Sequence, residues 1–149
     1  MINGHKKMGV NILLVEDNAA DIRLTKEVLQ ETEFVKNLNV VRDGVEVINF
    51  LKKKGKYSEV ILPDLILLDL NLPKKGGLEV LKQIKEDEDL KSIPVVILTI
   101  SDVEDDIIKA YKLHVNSYVI KPLEMREFHK IIESIMNYWF TIVKLPERK

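Results

Sequence analysis

With 149 residues and 46% hydrophobic content, the chain is long enough for one domain with a proper core and too apolar to be disordered as a whole. A formal net charge of −1 argues against broad electrostatic capture of nucleic acid, and the absence of cysteine removes disulfides, zinc-thiolate sites and cysteine nucleophiles. No apolar run approaches the ~20 residues of a membrane helix, and Met1-Ile-Asn-Gly-His-Lys-Lys7 lacks a signal-peptide core. The expectation is a cytoplasmic protein with neither membrane nor nucleic acid as partner.

Residues 1–9 read as a flexible lead-in. Val10-Asn-Ile-Leu-Leu-Val15 follows as a buried strand that ends in Glu16-Asp17. Asn18 is an N-cap for a helix that turns Ile22, Leu24, Val28 and Leu29 to the sheet. Asn39-Val40-Val41 is a second, short strand. Asp43-Gly44 turns it into a helix carrying Val47, Ile48 and Leu51. Gly55 to Pro63 is a loop, long for its position.

Asp64-Leu-Ile-Leu-Leu-Asp69 is the central strand, apolar on both faces and ending in one carboxylate. Gly76-Gly77 lets a helix begin, with Leu78, Leu81 and Ile84 at helical spacing. Glu86-Asp-Glu-Asp-Leu-Lys91 is a solvated exit. Pro94-Val-Val-Ile-Leu-Thr99 is the fourth strand. Ser101-Asp102 caps a helix with an acidic first turn, which suits the helix dipole, and Ile107, Ile108 and Tyr111 are its buried positions. Tyr118-Val-Ile120 is the fifth strand, closed by Lys121-Pro122. The last helix starts near Glu124 and runs to about Val143, with Met125, Phe128, Ile132 and Ile135 facing the core.

Strand and helix alternate five times, which gives a doubly wound parallel sheet between helical layers. The expected organisation is one domain over residues 10–143 and a tail over 144–149.

The chemistry lies at the carboxyl ends of the strands, which share one edge in such a sheet. The first strand offers Glu16 and Asp17, the third Asp69, the fourth Thr99 and the fifth Lys121. Three carboxylates drawn together raise one another's pKa unless a cation joins them. Oxygen donors with water suit Mg²⁺, or Mn²⁺. An acidic metal site with a lysine and a hydroxyl fits a phosphoryl group, whose charge metal and ammonium would neutralise. Asp69, on the middle strand, is the choice of nucleophile. Glu16 and Asp17 would hold metal, with the Asn71 backbone carbonyl as a further ligand. Each residue alone has a plainer reading: Asp69 as a turn residue, Glu16-Asp17 as a helix cap, Thr99 and Lys121 as ordinary loop groups. Their combination across four loops favours the site.

The set Val15-Glu16-Asp17-Asn18, Leu68-Asp69-Leu70-Asn71-Leu72-Pro73, Leu98-Thr99 and Tyr118-Val119-Ile120-Lys121-Pro122 resembles the receiver domain of two-component response regulators, over roughly residues 10 to 140. The likeness is closer to single-domain regulators paired with phytochrome-type sensor kinases. It rests on Ile12 to Asn18, Asp69 to Lys75, the long loop through Tyr57, and Trp139-Phe-Thr-Ile-Val-Lys-Leu-Pro146. The resemblance implies a flavodoxin-like sheet of order 2-1-3-4-5 with five helices. It implies Asp69 as phosphoacceptor, Glu16, Asp17, Asp69 and the Asn71 carbonyl as the Mg²⁺ set, Thr99 as switch hydroxyl and Lys121 as phosphate-contacting lysine. Tyr118 matches the switch aromatic, and Lys121–Pro122 is a candidate cis peptide. Two departures stand out. Ile100 replaces the small residue that usually flanks the pocket, and Gly76-Gly77 replaces an Asp-Gly turn.

No DNA-binding or catalytic output segment is recognisable, so the output is expected to be protein–protein contact. Trp139, Phe140, Ile142 and Val143 are apolar nearly all round, an interface signature unless the tail folds back on its own core. Similar regulators self-associate through the fourth helix, fifth strand and last helix, so a homodimer is expected there, with Tyr111, Trp139, Phe140 and Val143 as interface residues. The resemblance implies a sensor histidine kinase as the upstream partner. Three other readings compete. An aspartate-nucleophile phosphatase calls for an acid where Asn71 stands. A flavodoxin-like cofactor binder would be repelled by Glu16-Asp17. A pseudo-receiver acting only by interaction would normally lack an acid, the Thr or the Lys.

Overall fold

The computed structural model describes residues 9–33 and 35–146. The lead-in therefore lies, apart from Gly9, outside the described residues, as does the end of the tail. The elements in order are β1 (Val10–Val15), α1 (Ala19–Gln30), β2 (Val35–Val41), α2 (Gly44–Leu51), β3 (Leu65–Leu68), α3 (Gly77–Glu86), β4 (Val95–Thr99), α4 (Glu104–Lys112), β5 (Ser117–Ile120) and α5 (Met125–Asn137). A 3₁₀ turn follows α2 at Gly55–Tyr57, and a π turn at Tyr138–Ile142 extends α5.

The five strands form one parallel sheet in the order β2-β1-β3-β4-β5. The chain steps outward from β1 to β2 and then crosses back to β3. The order reverses there, so the loops after β1 and β3 diverge and open a crevice at their carboxyl ends. Strand residues alternate between two cores. Leu13, Val15, Ile66, Leu68, Val95 and Ile97 pack with Val47, Phe50, Val80, Leu81 and Ile84 of α2 and α3. Ile12, Leu14, Leu65, Leu67, Val96 and Leu98 pack with Val28 and Leu29 of α1 and with Phe128 and Ile132 of α5. All four residues of β3 are fully buried, so it reads as a continuous apolar run.

Local chemistry starts the first two helices. The Asn18 side chain accepts from the Asp21 N–H at 3.0 Å. Asp43 accepts from the N–H groups of Val45 and Glu46 at 2.9 and 2.8 Å. The long loop after α2 is tethered by Tyr57, whose ring packs on Phe50 with centroids 5.3 Å apart and whose hydroxyl donates to Glu46.

The structure corrects several expectations. β2 begins at Val35, four residues before Asn39, because backbone pairing with β1 runs on through half-exposed polar positions. α4 buries only Ala110, while Ile108 and Tyr111 are 44% and 50% exposed. The helix lies over the sheet edge and covers it with one narrow stripe. Val103 rather than Ser101-Asp102 stands at its N-cap, because the Ser101 hydroxyl donates to the Asp106 carboxylate at 2.7 Å instead. Met125 is exposed, and Met136 takes its place in the core stripe of α5. No cis peptide occurs among the described residues, so Lys121–Pro122 is trans, the isomer that X-Pro bonds still favour. Phe140 is fully buried against the α1 and α5 core, which removes it from any exposed face. Trp139 and Val143 are half-buried.

Candidate functional site

The sheet hydrogen bonds run one residue past the strands and thereby place the polar groups. The Asp69 N–H donates to the Val15 carbonyl at 3.0 Å, and the Lys121 N–H donates to the Thr99 carbonyl at 2.7 Å. The Glu16 N–H donates to the Val41 carbonyl at 3.1 Å. Glu16, Asp69 and Lys121 are thus fixed at the crevice by strand register rather than by loop conformation.

Gly77 sets the floor of the loop after β3. A Cβ there would lie 2.5 Å from the Leu70 Cα and 2.6 Å from the Asp69 carbonyl oxygen. Only glycine lets α3 start this close to the residue bearing the carboxylate. Gly77 therefore matters for close approach, and not merely for loop stiffness. Gly76 has open space around it.

Lys121 is the hub. Its buried ammonium donates to Glu16 Oε1 at 2.6 Å, Asp21 Oδ2 at 2.9 Å and Asp69 Oδ2 at 3.0 Å. Asp69 Oδ1 accepts from the Asn71 N–H at 3.1 Å, and Glu16 Oε2 accepts from the Asn18 N–H at 3.2 Å. Glu16 and Asp69 are both buried. Burial pushes the Glu16 carboxyl up to about 7, with Asp69 beside it adding to the shift and Lys121 opposing it. For Asp69 burial acts upward, but the Glu16 carboxyl, the Asn71 N–H and Lys121 together hold it below the usual carboxylate range. For Lys121 burial acts downward, and Glu16 and Asp21 outweigh it, so the ammonium is held above its ordinary value. Near neutral pH the arrangement is an anionic Asp69 beside a charged lysine, with Glu16 able to hold or lose a proton.

The groups line an open depression of about 270 Å³ formed by Glu16, Asp17, Asn18, Asp21, Asp69, Asn71, Ile100 and Lys121. Ile100 is 62% exposed and reaches into solvent at its edge. Thr99 is fully buried and does not line it; its Oγ1 accepts from the Ser101 N–H at a long 3.5 Å. Tyr118 is half-buried on β5, and its hydroxyl donates to the Ser101 carbonyl at 2.9 Å. Glu16, Asp17, Asp69, Asn71 and Lys121 therefore share one depression, while Thr99 and Tyr118 adjoin it through the loop after β4.

The sequence reading missed Asp21. Its signal was the Asn18-Ala-Ala-Asp21 spacing, which makes Asp21 the partner of the N-cap and sets it in the first turn of α1.

As these side chains stand, no three Asp, Glu, His or Cys among the described residues form a metal cage. The Lys121 ammonium bridges Glu16 and Asp69, taking one oxygen of each. The donors themselves suit a hard divalent ion. They are carboxylates and a backbone carbonyl, and the exposed Asp17 and Asn71 leave room for water.

The family model for the response regulator receiver domain matches residues 12–133. Response regulator Rcp1 of Synechocystis sp. (strain ATCC 27184 / PCC 6803 / Kazusa) is 49% identical over 135 residues, covering 91% of this chain and 92% of that protein. The probable methanogenesis regulatory protein FilR2 of Methanothrix harundinacea (strain 6Ac) is 45% identical over 130 residues, 86% of this chain and 82% of its own. Among solved structures, the phosphorylated cyanobacterial phytochrome response regulator RcpA superposes with a TM-score of 0.91 at 47% identity, covering 93% of this chain and 99% of its own. The Mn²⁺-bound form of Rcp1 superposes with a TM-score of 0.87 at 48% identity over the same shares. Both share the fold and the order of its elements, and the chain belongs to the response regulator receiver domain family, a family of signalling proteins.

Proposed function

We propose that the chain is a single-domain response regulator, folded over residues 10–143, that accepts a phosphoryl group on Asp69 from a sensor histidine kinase. The observation that supports this best is Asp69 itself: a buried carboxylate, held anionic, touching Lys121 and lining the depression at the sheet edge. An Asp69 oxygen attacks the phosphorus of a phosphohistidine. The O–P bond forms as the P–N bond breaks, and the electron pair leaves with the imidazole. Lys121 turns from Asp69 Oδ2 toward the new phosphoryl oxygens. Glu16, Asp17, Asp69 and the Asn71 carbonyl would hold Mg²⁺ or Mn²⁺, which supplies further neutralisation of those oxygens. Thr99 and Tyr118 are the switch pair: Thr99 sits beneath the site, and Tyr118 is tied to its loop through Ser101. The exposed Ile100 leaves Asp69 open to a donor. The protein is a switch modified on itself rather than a metabolic enzyme, and it is cytoplasmic; among the described residues no helix is long and apolar enough to cross a membrane.

The likeness to RcpA, a cyanobacterial phytochrome response regulator, supports a phytochrome-type kinase as donor. The near-equal likeness to FilR2 shows the same chain pattern in a differently named regulator.

The test is phosphorylation by acetyl phosphate with Mg²⁺, read by intact-protein mass. Wild type is expected to gain one phosphoryl mass and Asp69→Asn none. If wild type stays unmodified with acetyl phosphate and with kinases alike, the interaction-only reading replaces this one.

We also propose that the chain signals as a homodimer through α4, β5 and α5. Ile108, Tyr111, Ile120 and Tyr138 are large, apolar and 44–51% exposed along that face, and Trp139 lines an open groove beside it with Val119 and Ile135. A double Ile108→Glu, Tyr111→Glu variant is expected to run as a folded monomer by light scattering. The same molar mass in variant and wild type would count against this face.

A further inference from the structure

Three carboxylates compete for one ammonium, and they are not equivalent. Glu16 and Asp69 belong to the proposed cation set; Asp21 does not. Asp21 reaches Lys121 from a different element, the first turn of α1, at 2.9 Å. Its backbone is pinned there by the Asn18 side chain, which accepts the Asp21 N–H at 3.0 Å. Its carboxylate is about one-quarter exposed, against nearly complete burial for Glu16 and Asp69.

Lys121 bridges Glu16 Oε1 and Asp69 Oδ2, and among the described residues no three acids stand as a metal cage. A divalent ion held by the same two carboxylates would compete with the ammonium for their charge. The lysine, with its side chain 4% exposed, has no water to retreat into. It keeps its charge only if an anion outside the cation set receives it. Asp21 is such an anion, already in contact.

We propose that Asp21 is a positioning residue that holds the Lys121 ammonium when Glu16 and Asp69 turn to a divalent cation. It thereby sets the site's metal affinity and keeps the lysine beside the phosphoryl position. The inference rests on the phosphoacceptor reading above and extends it to a residue outside the matched motif. It predicts coupling: the charge of Asp21 matters because Lys121 is there, and not merely because it adds to the negative field.

The experiment is calorimetric titration of Mn²⁺ into the full chain at fixed pH, as a double-mutant cycle of Asp21→Asn and Lys121→Met. Asp21→Asn keeps the capped backbone N–H and removes the charge. It is expected to weaken Mn²⁺ binding by about tenfold in wild type and by less than about threefold in Lys121→Met. Asp21→Glu, which keeps the charge, is expected to bind within about threefold of wild type, and it supplies the reading if Asp21→Asn does not fold. Equal losses in both backgrounds overturn the proposal in favour of a plain field effect, as does unchanged binding in Asp21→Asn. Coupled Mn²⁺ binding without phosphoryl incorporation supports the role of Asp21 and removes the phosphoacceptor reading. No Mn²⁺ binding by wild type removes both.

Discussion

Replacing Gly44 by alanine is expected to lower stability by roughly 3 kcal/mol, the upper part of the range for overpacking. The added Cβ would fall 1.9 Å from the Lys75 carbonyl oxygen and 2.6 Å from its carbonyl carbon. The obstacle is backbone, which cannot rotate aside as a side chain would. The Gly44 N–H also donates to the Pro73 carbonyl at 3.2 Å, so the start of α2 and the loop after β3 are locked together at this point. Pushing them apart shifts the loop that carries Asn71, so phosphoryl incorporation is expected to fall along with stability. The change corresponds to a melting temperature lower by roughly 6–12 °C for a chain of this size. Gly76→Ala is the control, since nothing lies within 4 Å of its Cβ; it is expected to shift stability by less than about 1 kcal/mol. Thermal melts of the two variants that coincide would show that the close approach at Gly44 does not constrain the fold.

The second large effect is at Lys121. Lys121→Met keeps the length and removes the charge, leaving buried Glu16 and Asp69 and half-buried Asp21 with no cation between them. Breaking a buried pair by removing one partner costs about 3 kcal/mol or more. The loss is expected to depend on pH, and the sign follows from the carboxylates. Without the ammonium, which lowers both, burial pushes the folded pKa values of Glu16 and Asp69 above the unfolded ones, so the folded state binds protons that the unfolded state does not. Stability of the variant relative to wild type therefore falls as pH rises through the range above about 4, where unfolded carboxylates ionise. Glu16, already up at about 7 with the lysine present, is the first to hold its proton. Mg²⁺ is expected to restore part of the loss, because it replaces the missing charge. Melts at pH 5 and pH 8, with and without Mg²⁺, measure this. A deficit that is equal at both pH values would mean that Lys121 acts by packing rather than by charge.

How much of this was legible in the sequence follows from what each residue touches. β3 was legible because a four-residue apolar run between two carboxylates has few other uses. The positions of Glu16, Asp69, Thr99 and Lys121 were legible because Thr99 ends a strand and the other three follow one directly, so register carries each to the sheet edge. β2 was largely invisible: its edge position is held by backbone pairing, and Lys36, Asn37 and Asn39 give no apolar alternation. Helical spacing in α4 promised burial for Ile108 and Tyr111, but spacing shows only that residues share a face. It does not show whether the protein has anything to set against that face. Phe140 reversed the same error, since an aromatic run that reads as exposed from one strand's width of cover is in fact met by α1 and α5 together. Asp21 was missed because it acts through a salt bridge across 100 residues of sequence, with only its cap spacing visible locally.

The single hydrogen bond from the Tyr118 hydroxyl to the Ser101 carbonyl has a consequence for how sharply the molecule can respond. It ties β5 to the loop after β4, and Ser101 in turn holds the first turn of α4 through Asp106. A neutral hydrogen bond is worth about 1 kcal/mol net, so the untied loop lies only about fivefold below the tied one in population. Thermal motion therefore samples both arrangements in every molecule. On the proposed role of Asp69, its phosphorylation then has only to reweight a tied and an untied loop, and a bias of about 3 kcal/mol suffices to take the loop from one dominant state to the other.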